Sequence, residues 1–118
     1  MKLQPQNNGQ KYLEVFDIEN LVAHISVPLD IVFEIKNVHN ETVKVNVTPG
    51  CGCTTSGEPM LTISPNEVKT NVVSYTNDGR SSSDSFRKVV DFYIYKEGTN
   101  HLLGVERVSF SGKVVRQP

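Results

Sequence analysis

Two thiols separated by one glycine, Cys51-Gly52-Cys53, are the residues of this 118-residue chain best equipped for chemistry. Thiolates bind soft metals, and a neighbouring thiol can resolve an oxidised one. Structural zinc takes four ligands and favours cysteine pairs with two intervening residues, whereas this pair has one. The three histidines, His24, His39 and His101, show no ligand-like spacing. The pair is open to three readings. Cys51 and Cys53 are small apolar residues at a strand end, with Gly50 and Gly52 permitting a sharp bend; or they are metal ligands; or they form a labile disulfide. The first is adopted, so neither a metal nor any other cofactor is expected.

Catalysis has less to work with. An enzyme needs a nucleophile or base held by an orienting partner. Ser81-Ser82-Ser83-Asp84-Ser85 places hydroxyls beside a carboxylate, but inside a run from Asn77 to Ser85 that contains no apolar residue. Such a run reads as an exposed, mobile connector, too loose for chemistry. The glycine-rich stretch from Gly50 to Gly57 lacks the lysine and the following helix of a phosphate-binding loop. Each histidine reads as a surface or strand-face residue, and no enzyme is expected.

The elements that must position any site are strands. Period-two alternation recurs, as half-buried strands require. Val43, Val45 and Val47 alternate with Lys44, Asn46 and Thr48; Ile31, Phe33 and Ile35 alternate with Glu34 and Lys36, with Val32 out of place on the polar face. Val90, Phe92 and Ile94 oppose Asp91, Tyr93 and Tyr95, and Val108, Phe110 and Val114 share a face with Gly112. Less regular strands are expected over residues 12–18, 21–27, 60–64 and 68–75, seven or eight in all. His39-Asn40-Glu41 and Ser64-Pro65-Asn66-Glu67 have the length and composition of hairpin turns. Short strands in a chain this size must close as two layers, since one open sheet would leave an apolar face uncovered.

Composition narrows the partners. Twelve Lys and Arg against thirteen Asp and Glu give a net charge of −1, with the basic residues scattered, so nucleic acid is not expected as a ligand. The first ten residues carry one Lys and no apolar stretch of the signal-peptide kind, and the longest apolar runs fall short of a membrane span. A virion or cytoplasmic location follows as the expectation. The reading is a polar arm over residues 1–10 and one domain over residues 11–118.

The stretch from Ile31 to Tyr95 carries four landmarks: Phe33-Glu34-Ile35-Lys36-Asn37, the strand from Val43 to Val47, Cys51-Gly52-Cys53-Thr54, and Ile63-Ser64-Pro65-Asn66-Glu67. In this order they resemble a family of bacterial immunoglobulin-like domains known mainly by a Cys-Gly-Cys-Thr motif and otherwise of unknown function. Asn66 stands where that family usually has Gly. The resemblance implies an all-β, immunoglobulin-like Greek-key sandwich related to PapD-like and major-sperm-protein-like domains, which serve as scaffolds and docking modules. It implies no substrate.

Partner binding is expected at two places. Tyr93 and Tyr95 share a strand face with Val89, and tyrosine is enriched at interfaces; alternatively both belong to a second packed layer. The arm from Met1 to Gln10 could add as a strand to the edge of a neighbouring copy, making a homo-oligomer. The function expected is a non-enzymatic structural module, a phage virion component that decorates a capsid or joins tail or neck parts and binds a repetitive protein surface. The alternatives are a metal- or redox-handling protein using Cys51 and Cys53, and a cytosolic scaffold of the host bacterium.

Overall fold

The computed structural model describes residues 11–50 and 52–116. Among the described residues it is an all-β sandwich of nine strands with no helix, and therefore none long and apolar enough to cross a membrane. In chain order the strands are β1 (Leu13–Glu14), β2 (Ile18–His24), β3 (Leu29–Asn37), β4 (Val43–Pro49), β5 (Thr54–Ser56), β6 (Met60–Ile63), β7 (Val68–Tyr75), β8 (Ser85–Lys96) and β9 (Leu102–Val115). One sheet has the order β1-β3-β7-β5 and the other β2-β9-β8-β4-β6.

Alternation decides which side chains meet between the sheets. Ile31, Phe33 and Ile35 of β3 face Val43, Val45 and Val47 of β4 and Val90, Phe92 and Ile94 of β8 across one apolar interior, all at most 2% exposed. Phe33 is the hub, with its ring centroid 6.1 Å from that of Phe92 and 6.4 Å from that of Phe110, both edge-on. Edge-to-face rings are the arrangement that aromatic quadrupoles favour. Tyr75 stacks on Phe86 at 4.7 Å, closing the interior toward the start of β8.

The strand expected over residues 12–18 is two strands in two sheets. Leu13 and Glu14 pair with β3; the chain then crosses the sandwich, burying Val15 and leaving Phe16 69% exposed, and continues as β2. Asp17 fixes the crossing, its Oδ1 accepting the Ser109 N–H at 2.8 Å. Because the chain crosses without reversing, β2 runs parallel to β9, the one departure from an antiparallel sandwich among the described pairings. Between Ile18 and Leu21 the register slips, and Asn20 takes a left-handed φ of 62° there.

Two hydrogen-bonded asparagines knit the strand ends. Asn37, fully buried, donates its Nδ2 to the carbonyls of Glu41 (2.8 Å) and Ile63 (2.9 Å), and its Oδ1 accepts the His39 N–H at 2.8 Å. One side chain thus ties the turn after β3 to the end of β6. Asn71 does the same below β5, donating to the Glu58 carbonyl and accepting from the Ser56 hydroxyl. The connector after β7 is exposed, as its composition requires, but it is pinned. The Arg116 guanidinium donates to the carbonyls of Ser81 and Ser83 and lies 3.6 Å from the Asp84 carboxylate. The Val114 N–H donates to the Asp84 carbonyl at 2.8 Å.

Candidate protein-interaction surface

The cysteines lie where the chain leaves one sheet for the other. Gly50 still pairs with β8, donating its N–H to the Val89 carbonyl at 2.9 Å, and a Cβ there would stand 2.7 Å from Val89 Cγ2. Its requirement is close packing. By Thr54 the chain has joined the other sheet opposite Tyr75, and the Cys53 carbonyl accepts the Thr76 N–H at 3.0 Å. Cys53 is half-buried against the core, but it is disulfide-bonded and not the plain small apolar residue expected, with its Sγ 3.7 Å from the Thr54 hydroxyl. Cys51, the chain's other cysteine, lies outside the described residues.

No group of three or more His, Cys, Asp or Glu side chains is placed to hold a metal among the described residues. The histidines sit on separate elements. His24 is exposed at the end of β2 and His101 in the turn before β9. His39 packs edge-on against the Tyr12 ring at 4.9 Å, 3.6 Å from the Glu41 carboxylate. Ser81 to Ser85 are exposed, and their hydroxyls bond one another and nearby backbone groups.

Tyr93 and Tyr95 emerge together on the outer face of the five-stranded sheet, half-buried, with Asn46 and Lys44 directly across on β4. They lie outside the interior layer formed by Phe92 and Ile94. Tyr95, Lys44, Asn46 and Met60 line a shallow depression of about 370 Å³ closed at one end by Thr99 and Asn100. Met60 is 40% exposed, and its Sδ accepts the Asn46 Nδ2 at 3.0 Å. Beside Tyr93, Arg107 grips Asp91 with two parallel hydrogen bonds of 2.7 and 3.0 Å. The sheet beneath is paired on both sides here: β8 pairs with β9 from Ser85 to Tyr95 and with β4 from Val90 to Lys96. A face with two aromatic rings, a thioether and an amide suits contact with another protein: the rings offer area at little entropy cost, and the polar tips fix register. The other expected contact, the arm from Met1 to Gln10, lies outside the described residues.

A model of the family described as "Protein of unknown function (DUF1573)" matches residues 7–114. The chain belongs to this family. No curated protein sequence matches it significantly. Among solved structures it is similar to an ASH/PapD-like domain of human CEP192, with a TM-score of 0.71 at 9% identity over 91% of this chain and 87% of that one. It is also similar to the YadV chaperone, with a TM-score of 0.66 at 12% identity over 88% of this chain and 52% of that one. SSP-19, a protein like the MSP-domain family from Caenorhabditis elegans, matches with a TM-score of 0.62 at 8% identity over 82% of this chain and 94% of that one. At these identities the likeness establishes the fold: an immunoglobulin-like sandwich, as the strand pattern of this DUF1573 chain requires.

Sequence reasoning passed over two features that lie away from this face. Glu106 occupies an inward register position, opposite Phe92, and is pushed above the ordinary carboxyl range by burial and by Asp17, against the attraction of Lys11. Its place in a stretch of mixed polarity gives no sign of that. The second is the edge of β3, hidden because pairing between distant strands is invisible in a local pattern.

Proposed function

We propose that this chain is a non-enzymatic interaction module that binds partner proteins through the outer face of its five-stranded sheet. The observation that carries the reading is the pair of half-exposed tyrosines, Tyr93 and Tyr95, set on a strand paired on both sides beside Met60, Asn46 and Lys44. The binding modules whose fold it shares, the PapD-like and MSP-like domains, support the same class. The partner we propose is a repeated protein surface, such as that of a virus particle, where one small face is used many times. Placing the photoreactive residue p-benzoylphenylalanine at Tyr95, with Arg80 on the far loop as control, tests it in the producing cell. Discrete cross-linked proteins at Tyr95 and none at Arg80 are expected; an equal pattern at both positions rejects the face.

A second reading rests on the disulfide at Cys53, half-buried at the crossing between sheets. Thiol exchange there would be a redox function. Titration in glutathione buffers separates the two: a midpoint near the glutathione poise supports exchange, and one below about −300 mV marks a structural bond.

A further inference from the structure

The four-stranded sheet has an open edge along β3. Its strand β1 covers only Asn37 and Lys36, and among the described residues no strand lies against Leu29 to Ile35 on that side. Asn37 directs its N–H and carbonyl toward the β7 side, to Glu67 (3.1 Å) and Asn66 (2.8 Å), while the Val38 N–H turns the other way to the Tyr12 carbonyl (2.9 Å). Antiparallel pairing alternates these directions, so the backbone groups of Asp30, Val32 and Glu34 point out of the edge. Their side chains share the outer face of the sheet and all are exposed, Val32 by 51%.

The side chains define what can pair. Across β7 their neighbours are Ser74, Val72 and Thr70, none of them cationic. No ion pair joins Asp30 or Glu34 to another described residue. In the two-fold register centred on Val32 a second copy of β3 is unsuited, because it sets Asp30 against the other copy's Glu34, and like charges directly opposite are unfavourable. One step further along the same edge, Lys36 stands in backbone register with Glu14 of β1. The other edges are poorer templates. β5 and β6 have three and four residues, and β2 is broken by its register slip.

We infer that the β3 edge receives an extended segment of a partner protein carrying a basic residue, an apolar residue and a basic residue at alternate positions, opposite Asp30, Val32 and Glu34. The segment adds a strand to the four-stranded sheet, with backbone hydrogen bonds supplying affinity and the alternate side chains supplying selection. The pattern reads the same in both directions, so it admits parallel or antiparallel entry. The inference rests on the reading of the chain as a protein-binding module, and adds a second surface and the chemistry of what it takes.

Backbone amide NMR with synthetic peptides tests it. The probe is Thr-Lys-Thr-Val-Thr-Arg-Thr, and the control replaces its Lys and Arg by Glu. The expected result is saturable shifts of the Asp30, Val32 and Glu34 amides with the basic peptide, slowed exchange of those amides, and at least about tenfold weaker binding of the acidic peptide. The double variant Asp30→Lys with Glu34→Lys, two exposed changes that leave the core untouched, should reverse the preference. Equal binding of both peptides, shifts confined to another edge, or concentration-dependent shifts of the same amides without peptide would overturn the inference; the last would assign the edge to a second copy. Binding of neither peptide would also overturn it, leaving the carboxylates as guards against edge pairing. Failure here with specific cross-links retained at Tyr95 removes the strand site alone, whereas loss of the Tyr95 cross-links removes the broader reading.

Discussion

Asn37 shows how much one polar side chain can organise. Removing it would strand the buried carbonyl of Ile63 and release the Glu41 carbonyl and the His39 N–H, so two turns lose their common anchor. Asn37→Ala should lower unfolding stability by about 2–4 kcal/mol, measured by denaturant titration, with the slope unchanged. Asn37→Asp should be no milder, since it keeps the acceptor but loses both donated bonds and buries a charge. Glu106 acts in the opposite sense. Its folded pKa lies above the unfolded value, chiefly through burial, so the native state holds the proton more tightly. Stability from this group is full below the unfolded pKa and falls as pH rises through the window up to the folded pKa. Glu106→Gln should therefore raise the melting temperature at pH 7, and the gain should vanish by about pH 4, near the unfolded carboxyl value. A gain that persisted at acidic pH would point to packing instead of charge.

Among the elements, β2 depends on a single glycine. A Cβ at Gly112 would overlap the Leu21 carbonyl oxygen, a backbone atom that cannot rotate away. Gly112→Ala should force β2 off β9 at a cost of about 3 kcal/mol, and amide exchange should quicken over residues 18–24 before the rest of the sheet. The strands legible in the sequence were those whose alternation spans three or more apolar residues: β3, β4, the centre of β8 and the end of β9. The turn at Ser64-Pro65-Asn66-Glu67 was legible too. Asn66 has a φ of 64°, which explains why an asparagine can stand where the resembling family has Gly, and the Glu67 carboxylate caps the Ser64 N–H at 2.9 Å. β5 was not legible, because Thr54, Thr55 and Ser56 carry no apolar alternation and become a strand only by pairing with β7. The full lengths of β8 and β9 were also hidden. Their ends are polar, and they extend as strands because each is the other's partner from Ser85 to Tyr95.

The two layers leave one interior, two outer faces and a few edges, and the proposed protein contacts lie on one of those faces and one of those edges. The pattern of Val90 to Tyr95 foretold which side chains turn outward, but it could not say whether Tyr93 and Tyr95 met solvent or a further layer. Closure of the sandwich on the other face of β8 decides that they lie outside the core, beside β4 residues some fifty positions earlier in the chain. No local pattern carries such a juxtaposition.

Binding through this outer face is tested by the affinity of the Tyr93→Ala, Tyr95→Ala double variant for the protein cross-linked at Tyr95. Half-buried on the surface, these rings contribute little to the core, so the melting temperature should move by only a few degrees while binding weakens by about tenfold or more. Wild-type affinity in a folded double variant would contradict the account.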